Sequence, residues 1–117
     1  MLEYRVAERS DDHVVVDLRG ELTNHGDTDS FQAFVRHDLI RSGDRNVRLN
    51  LDELTFMDLD GLWVLIALHQ HSAARGKALT VQGARGQPLE KLTTTGTLAL
   101  LGKGPAGTPL TPRRSSR

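Results

Sequence analysis

Near the start of the chain Leu2, Tyr4 and Val6 alternate with polar residues, and after the polar Ser10-Asp11-Asp12 comes the apolar, β-branched run His13 to Leu18. This spacing predicts two strands joined by a tight turn, an antiparallel hairpin, with Gly20 expected to end the second strand. The polar segment Thr23 to Ser30 offers N-caps for a helix carrying Phe31, Phe34, Val35 and Leu39 at helical spacing, closed by Gly43. From Asn46 to Leu51, Val47, Leu49 and Leu51 alternate with Arg48 and Asn50, the pattern of a third strand with one covered face. A second helix is expected from about Asp60 to Arg75, with Leu62, Leu65, Ile66 and Ala73 on its inner stripe and Gly76 where helices stop. A fourth strand, Ala78 to Gln82, follows. Pro88 suits the first turn of a third helix that carries Leu89 and Leu92 and fades in Thr93-Thr94-Thr95-Gly96.

The order is strand, strand, helix, strand, helix, strand, helix. Strands separated by helices of this length are normally parallel neighbours with right-handed crossovers, whereas the first two can only pair as a hairpin. The expected fold class is therefore α/β: a mixed four-stranded sheet, an N-terminal hairpin plus parallel β-α crossovers, packed with about three helices. In such sheets the loop leaving a strand toward a helix N-terminus is the usual place for function, and here that loop is Asp58 to Gly61.

At 117 residues the chain holds one domain with a real core and not two of ordinary size. Beyond Gly102 there is almost nothing to bury, so residues 1–102 are expected to form the domain and 103–117 a disordered basic tail. Basic and acidic residues both total 15, which leaves no bulk attraction to nucleic acid or anionic lipid. Residues 1–90 nevertheless hold 10 basic and all 15 acidic residues, while Lys91, Lys103, Arg113, Arg114 and Arg117 follow: an acidic body and a basic tail. Without cysteine, a disulfide framework, a thiolate zinc site and a cysteine nucleophile are all excluded. The first twelve residues lack the apolar stretch of a secretion signal, and the longest apolar run, Leu62 to Leu68, is far short of the roughly 20 residues that span a bilayer. The expectation is a cytoplasmic protein without membrane contact.

Asp58 and Asp60 have a plain structural reading as helix caps, since an Asp at a helix start satisfies a free backbone N–H. Two loop acids without a recognisable partner set are weak evidence for a hydrolase or a magnesium site. His69 and His71 lie two apart on a helix, which points them to different faces and is wrong for one metal; His69 reads as a partly buried, hydrogen-bonded core histidine. Trp63, the only tryptophan, falls off the Leu65/Ile66 stripe and is expected to be partly exposed near the loop. Asp11 and Asp12 resemble the acidic pair of a phospho-accepting receiver, but they fall in a hairpin turn and not after the first strand of a parallel sheet, so that reading is rejected. No catalytic, metal or cofactor site is expected, and the lack of a Gly-rich phosphate loop argues against nucleotide binding.

The stretch Asn50-Leu51-Asp52-Glu53-Leu54-Thr55-Phe56-Met57-Asp58 followed by Gly61-Leu62 resembles the strand, loop and second-helix start of the STAS domains, and among them the anti-sigma factor antagonists of bacteria. Gly20-Glu21-Leu22 is similar to the same family's segment before its first helix, and Gly96 within Leu92 to Leu98 resembles the family's last helix and its exit. The resemblance spans about residues 2 to 101.

It implies a non-enzymatic partner switch in transcription regulation. The antagonist binds an anti-sigma factor, often a serine kinase of the histidine-kinase-like ATPase type, and phosphorylation of a serine in the antagonist breaks the complex. The family's loop usually reads Met-Asp-Ser-Ser-Gly-Leu, the second serine accepting phosphate; here it is Met57-Asp58-Leu59-Asp60-Gly61-Leu62. Asp60 thus stands at the acceptor position, where a serine kinase has no substrate. Trp63 replaces a glycine the family often carries there. The partner-binding residues the resemblance implies are Glu21, Asn24, His25, Asp58, Leu59, Asp60, Gly61 and Trp63. The alternative is a STAS scaffold or homo-oligomerisation module, such as a homodimer, in a larger signalling assembly without a kinase partner.

Overall fold

The computed structural model describes residues 2–23, 26–41 and 46–101. Their elements are β1 (Leu2–Arg9), β2 (His13–Leu22), α1 (Gly26–Ala33), which continues as wider π-type turns over Phe34–Arg41, β3 (Asn46–Met57), α2 (Leu59–Ala73), β4 (Leu79–Gln82), α3 (Gly86–Thr94) and α4 (Thr97–Leu101). The expected tail, residues 103–117, lies outside the described residues, as do Asn24, His25 and Gly43.

The four strands form one sheet in the order β1-β2-β3-β4. β1 and β2 pair antiparallel, Val6 opposite Val16, and β3 and β4 then add in parallel, with Leu49 beside Val16 and Val81. The hairpin and the parallel crossovers follow the sequence periodicity. The core lies on one face of the sheet, where Val14, Val16, Leu18, Val47, Leu49, Leu51, Leu79 and Val81 meet Phe31, Val35 and Leu39 of the first helix, Leu62, Leu65 and Leu68 of α2, and Leu92 of α3. Each such side chain, taken from water, contributes about 1.5–3 kcal/mol.

Three expectations are corrected. β2 does not stop at Gly20 but runs to Leu22, because the chain absorbs Gly20 in a bulge at φ +99°, a conformation open to glycine. β3 does not end at Leu51 but continues to Met57: the strict alternation is lost beyond Leu51, yet Leu54 and Met57 still turn inward. On α2 the stripe is Leu62, Leu65, Leu68 and Ser72, with Ile66 half-buried and Ala73 exposed. After the turn at Thr95 and Gly96 the chain also makes the short α4, which the sequence pattern did not predict and which buries Leu101.

His69 is a half-buried core histidine as expected, its Nδ1 donating to the Leu79 carbonyl at 3.0 Å. Ser10 and Asp12 form the hairpin turn and are committed to His13. Ser10 Oγ lies 2.8 Å and Asp12 Oδ1 3.0 Å from His13 Nδ1, with Glu8 2.8 Å from Nε2.

Candidate functional site

The extensions of β2 and β3 beyond their expected ends carry the candidate loop. Because β2 and β3 stay paired to their last residues, Glu21 lies beside Phe56 and Leu22 beside Met57. The loop that leaves β3 therefore starts against the end of β2. Three backbone ties hold it there. Asp58 N donates to the Leu22 carbonyl at 3.3 Å, and the Gln87 side chain from the start of α3 bridges the Met57 peptide, accepting from Met57 N and donating to Met57 O, both at 2.9 Å.

The two aspartates divide their roles. Asp58, with extended backbone at φ −96°, is the N-cap of α2, and its Oδ1 accepts the Gly61 N–H at 2.8 Å. Its carboxylate is thereby committed to structure, and the capping reading holds for Asp58. Asp60 sits in the first turn of α2 with its side chain exposed. Capping does not need it, so its carboxylate is presented to solvent.

Gly61 is buried, and a Cβ built on it would stand 2.1 Å from the Leu22 carbonyl oxygen. Glycine is thus required for α2 to begin so close to β2. The close approach turns Leu59 and Trp63, one helical turn apart and therefore on one face, outward: they are 54% and 59% exposed. Phe56 adds a third exposed apolar side chain at 42%. Trp is enriched among residues that anchor protein interfaces.

Of the residues implied by the resemblance, the fold brings Glu21, Asp58, Leu59, Asp60, Gly61 and Trp63 to one end of the sheet; Asn24 and His25 lie outside the described residues. Two participants escaped the sequence reading. Gln87 carries no motif, since its role depends on where α3 lands, and Phe56 was hidden because the strand pattern loses its alternation before reaching it.

At the opposite end of β3 a cavity of about 190 Å³ is lined by Asp12, His13, Asn46, Arg48 and Thr80. Among the described residues no three His, Cys, Asp or Glu side chains gather as a metal site would, and no helix is long and apolar enough to cross a membrane.

A mixed sheet with an N-terminal hairpin and parallel crossovers, its core-facing side covered by helices, defines a small α/β domain. The chain belongs to the STAS domain family, whose sequence model matches residues 4–109. Its fold is similar to the anti-sigma factor antagonist SpoIIAA in its unphosphorylated form, with a TM-score of 0.72 at 17% identity over 82% of this chain and 83% of that one. It is similar also to the Bacillus cell fate determinant SpoIIAA in the phosphorylated form, with a TM-score of 0.66 at 18% identity over 85% and 87%. A crystal structure of Mglu matches at a TM-score of 0.58 and 24% identity, over 71% of this chain but 20% of that one. No curated protein matches the chain at a significant level.

Proposed function

We propose that this STAS domain is a non-enzymatic antagonist of an anti-sigma factor, acting in the bacterial cytoplasm, and that it meets its partner through Leu59, Asp60 and Trp63 with Glu21 beside them. The observation that carries the reading is the division of labour at the start of α2: Asp58 is consumed by the cap, while Asp60 and two large apolar side chains face outward from a backbone fixed at both ends. The similarity in fold to SpoIIAA in both its phosphorylated and unphosphorylated forms supports it. With a carboxylate in place of the acceptor serine, a serine kinase finds no hydroxyl, and the charge at residue 60 is permanent. Phosphoserine carries about −1.5 to −2 charges and three acceptor oxygens, against about −1 and a shorter side chain for Asp, so Asp60 reproduces only part of the phosphorylated state.

The test is a pull-down from the source cytosol with tagged wild type and Asp60→Ser in parallel, read by mass spectrometry and by transfer of phosphate from ATP to the variant. Asp60 is exposed, so the variant keeps wild-type stability to within about 0.5 kcal/mol. Retention of a histidine-kinase-like ATPase by the wild type makes the domain a constitutive antagonist. Retention by Asp60→Ser alone makes Asp60 a built-in phosphate mimic. If neither captures such a protein, the kinase-partner reading is wrong, and self-association through Leu59 and Trp63, measured by light scattering, becomes the reading to pursue.

A further inference from the structure

We infer that two copies of this chain associate through the outer edge of β1, antiparallel about a two-fold axis at Tyr4, so that Glu3 of each copy lies opposite Arg5 of the other. Such an isologous pair is the commonest form of assembly between identical chains. It needs neither Leu59 nor Trp63 and is independent of the proposed anti-sigma role.

β1 is an edge of the sheet: β2 pairs with it on one side, and among the described residues no strand lies on the other. Such an edge is a template for a further strand. The opposite edge, β4, has four residues, whereas β1 has eight. One bond shows which amides of β1 face outward. Leu2 N donates to Asp27 Oδ2 at 3.3 Å, away from β2. Inward and outward residues alternate in an antiparallel pair, so Tyr4 and Val6 also point their N–H and C=O groups outward, up to the register shift between Val6 and Glu8. With Tyr4 on the axis, its N–H meets the Tyr4 carbonyl of the other copy and the Val6 N–H meets the Leu2 carbonyl, each reciprocally. The Leu2 N–H keeps Asp27. These main-chain bonds join the two four-stranded sheets into one continuous sheet.

Charge selects this register. Glu3 and Arg5 are exposed and alternate with Leu2, Tyr4 and Val6, which pack toward the core. Within the domain they already pair with β2, Glu3 with Arg19 at 4.0 Å and Arg5 with Asp17 at 3.4 Å. The axis at Tyr4 extends both rows: Arg19 and Glu3 of one copy continue into Arg5 and Asp17 of the other, with the sign alternating throughout. Moving the axis to Arg5 sets Arg5 against Arg5, and moving it to Glu3 sets Glu3 against Glu3. Opposite charges directly across two strands favour pairing and like charges oppose it. Charges on an edge ordinarily deter a further strand, but these are self-complementary.

The apolar side of this edge is unfinished. Tyr4, Val6 and Phe34 are only half-buried against the core, and the Tyr4 ring lies 5.4 Å from the rings of both Phe31 and Phe34. Across the axis Tyr4 stands opposite Tyr4 and Leu2 opposite Val6, so aromatic and aliphatic pairs carry the core face from one copy to the other. The contact is confined to Leu2–Val6 and the side chains beside them, which places the association among weak, transient interfaces. None of the paired residues belongs to α2. The pair therefore carries two Leu59–Trp63 faces on one particle, which a two-site partner meets at a raised effective concentration.

Charge complementation tests both the contact and its register. Sedimentation equilibrium is run on the full chain at low ionic strength, up to the millimolar range, for the wild type, Glu3→Arg, Arg5→Glu and an equimolar mixture of the two variants. Both side chains are exposed, and circular dichroism is the control for folding. The wild type is expected to dimerise as concentration rises, and each variant alone, facing like charges across the axis, to associate about tenfold more weakly. In the mixture every pair across the axis is again of opposite sign, and association is expected to return to wild-type strength. Amide exchange at Tyr4 and Val6 of the wild type is expected to slow with concentration. A wild type that stays monomeric, exchange that ignores concentration, variants that associate as the wild type does, or a mixture no stronger than its components each overturns the inference. Trp63→Ser is expected to leave the dimer intact; its loss in that variant would place the contact on α2 and overturn the inference as well. None of these outcomes bears on the pull-down with Asp60→Ser, which tests the proposed function separately.

Discussion

Replacing Gly61 by Ala tests the close approach of α2 to β2 on which the candidate site is built. The added Cβ would lie 2.1 Å from the Leu22 carbonyl oxygen and 2.8 Å from its carbon, so the two backbones must separate by about 1 Å to restore van der Waals contact. Neither side yields easily. Leu22 is fully buried and its carbonyl is held by Asp58 N, while Gly61 N is held by the Asp58 carboxylate. Overpacking of this kind costs about 1–3 kcal/mol, and a loosened cap adds about 1 kcal/mol. Against this, Ala is favoured over Gly inside a helix by about 1 kcal/mol. The balance is a loss of about 2 kcal/mol, or roughly 8 °C in Tm for a domain of this size. Urea melts followed by circular dichroism and by Trp63 emission measure both the stability and the environment of the neighbouring surface. A midpoint equal to or above the wild type would refute the reasoning, because propensity would then outweigh a contact that does not exist in solution.

Asp58→Ala removes the cap on α2 and is expected to lower stability by about 1 kcal/mol, whereas Asp60→Ala in the same turn changes it by less than about 0.5 kcal/mol; equal effects in urea melts would contradict the division of roles. Gln87→Ala strips both hydrogen bonds from the Met57 peptide and is expected to cost about 1–3 kcal/mol, with faster amide exchange at Met57 as the local signature. His13 titrates above its ordinary value of 6.5, chiefly because Asp12 and then Glu8 bond its charged ring, and Asp12 in turn titrates below 3.8 through its bonds to His13 and Ser10. The raised group contributes stability in full below pH 6.5 and loses it as pH rises through the folded pKa; the lowered group contributes above 3.8 and loses it as pH falls through its own. The urea midpoint is therefore expected to fall as pH rises from about 6.5 through the raised folded pKa of His13, and His13→Gln to flatten that fall; an unchanged slope in the variant would assign the pH dependence to other groups.

Periodicity along the chain was enough to place the four strands, the first three helices and the fold class, because alternation and helical spacing report directly which face of each segment leaves water. The hairpin, the parallel crossovers, the half-buried His69 and the exposed Trp63 were all legible that way. Two aspartates two residues apart, by contrast, look alike in a sequence. Only the path of the backbone between β3 and α2 decided that Asp58 bonds the Gly61 N–H and Asp60 faces solvent. The continuation of β3 to Met57, the bulge at Gly20 and the bridge from Gln87 likewise depend on partners distant in sequence, up to 35 residues away for the bond from Thr55 Oγ1 to the Gly20 carbonyl. Local pattern determines which face of a segment is buried; which buried atoms meet is set by long-range packing, and it is that packing which brings Glu21, Asp60 and Trp63 to one end of the sheet.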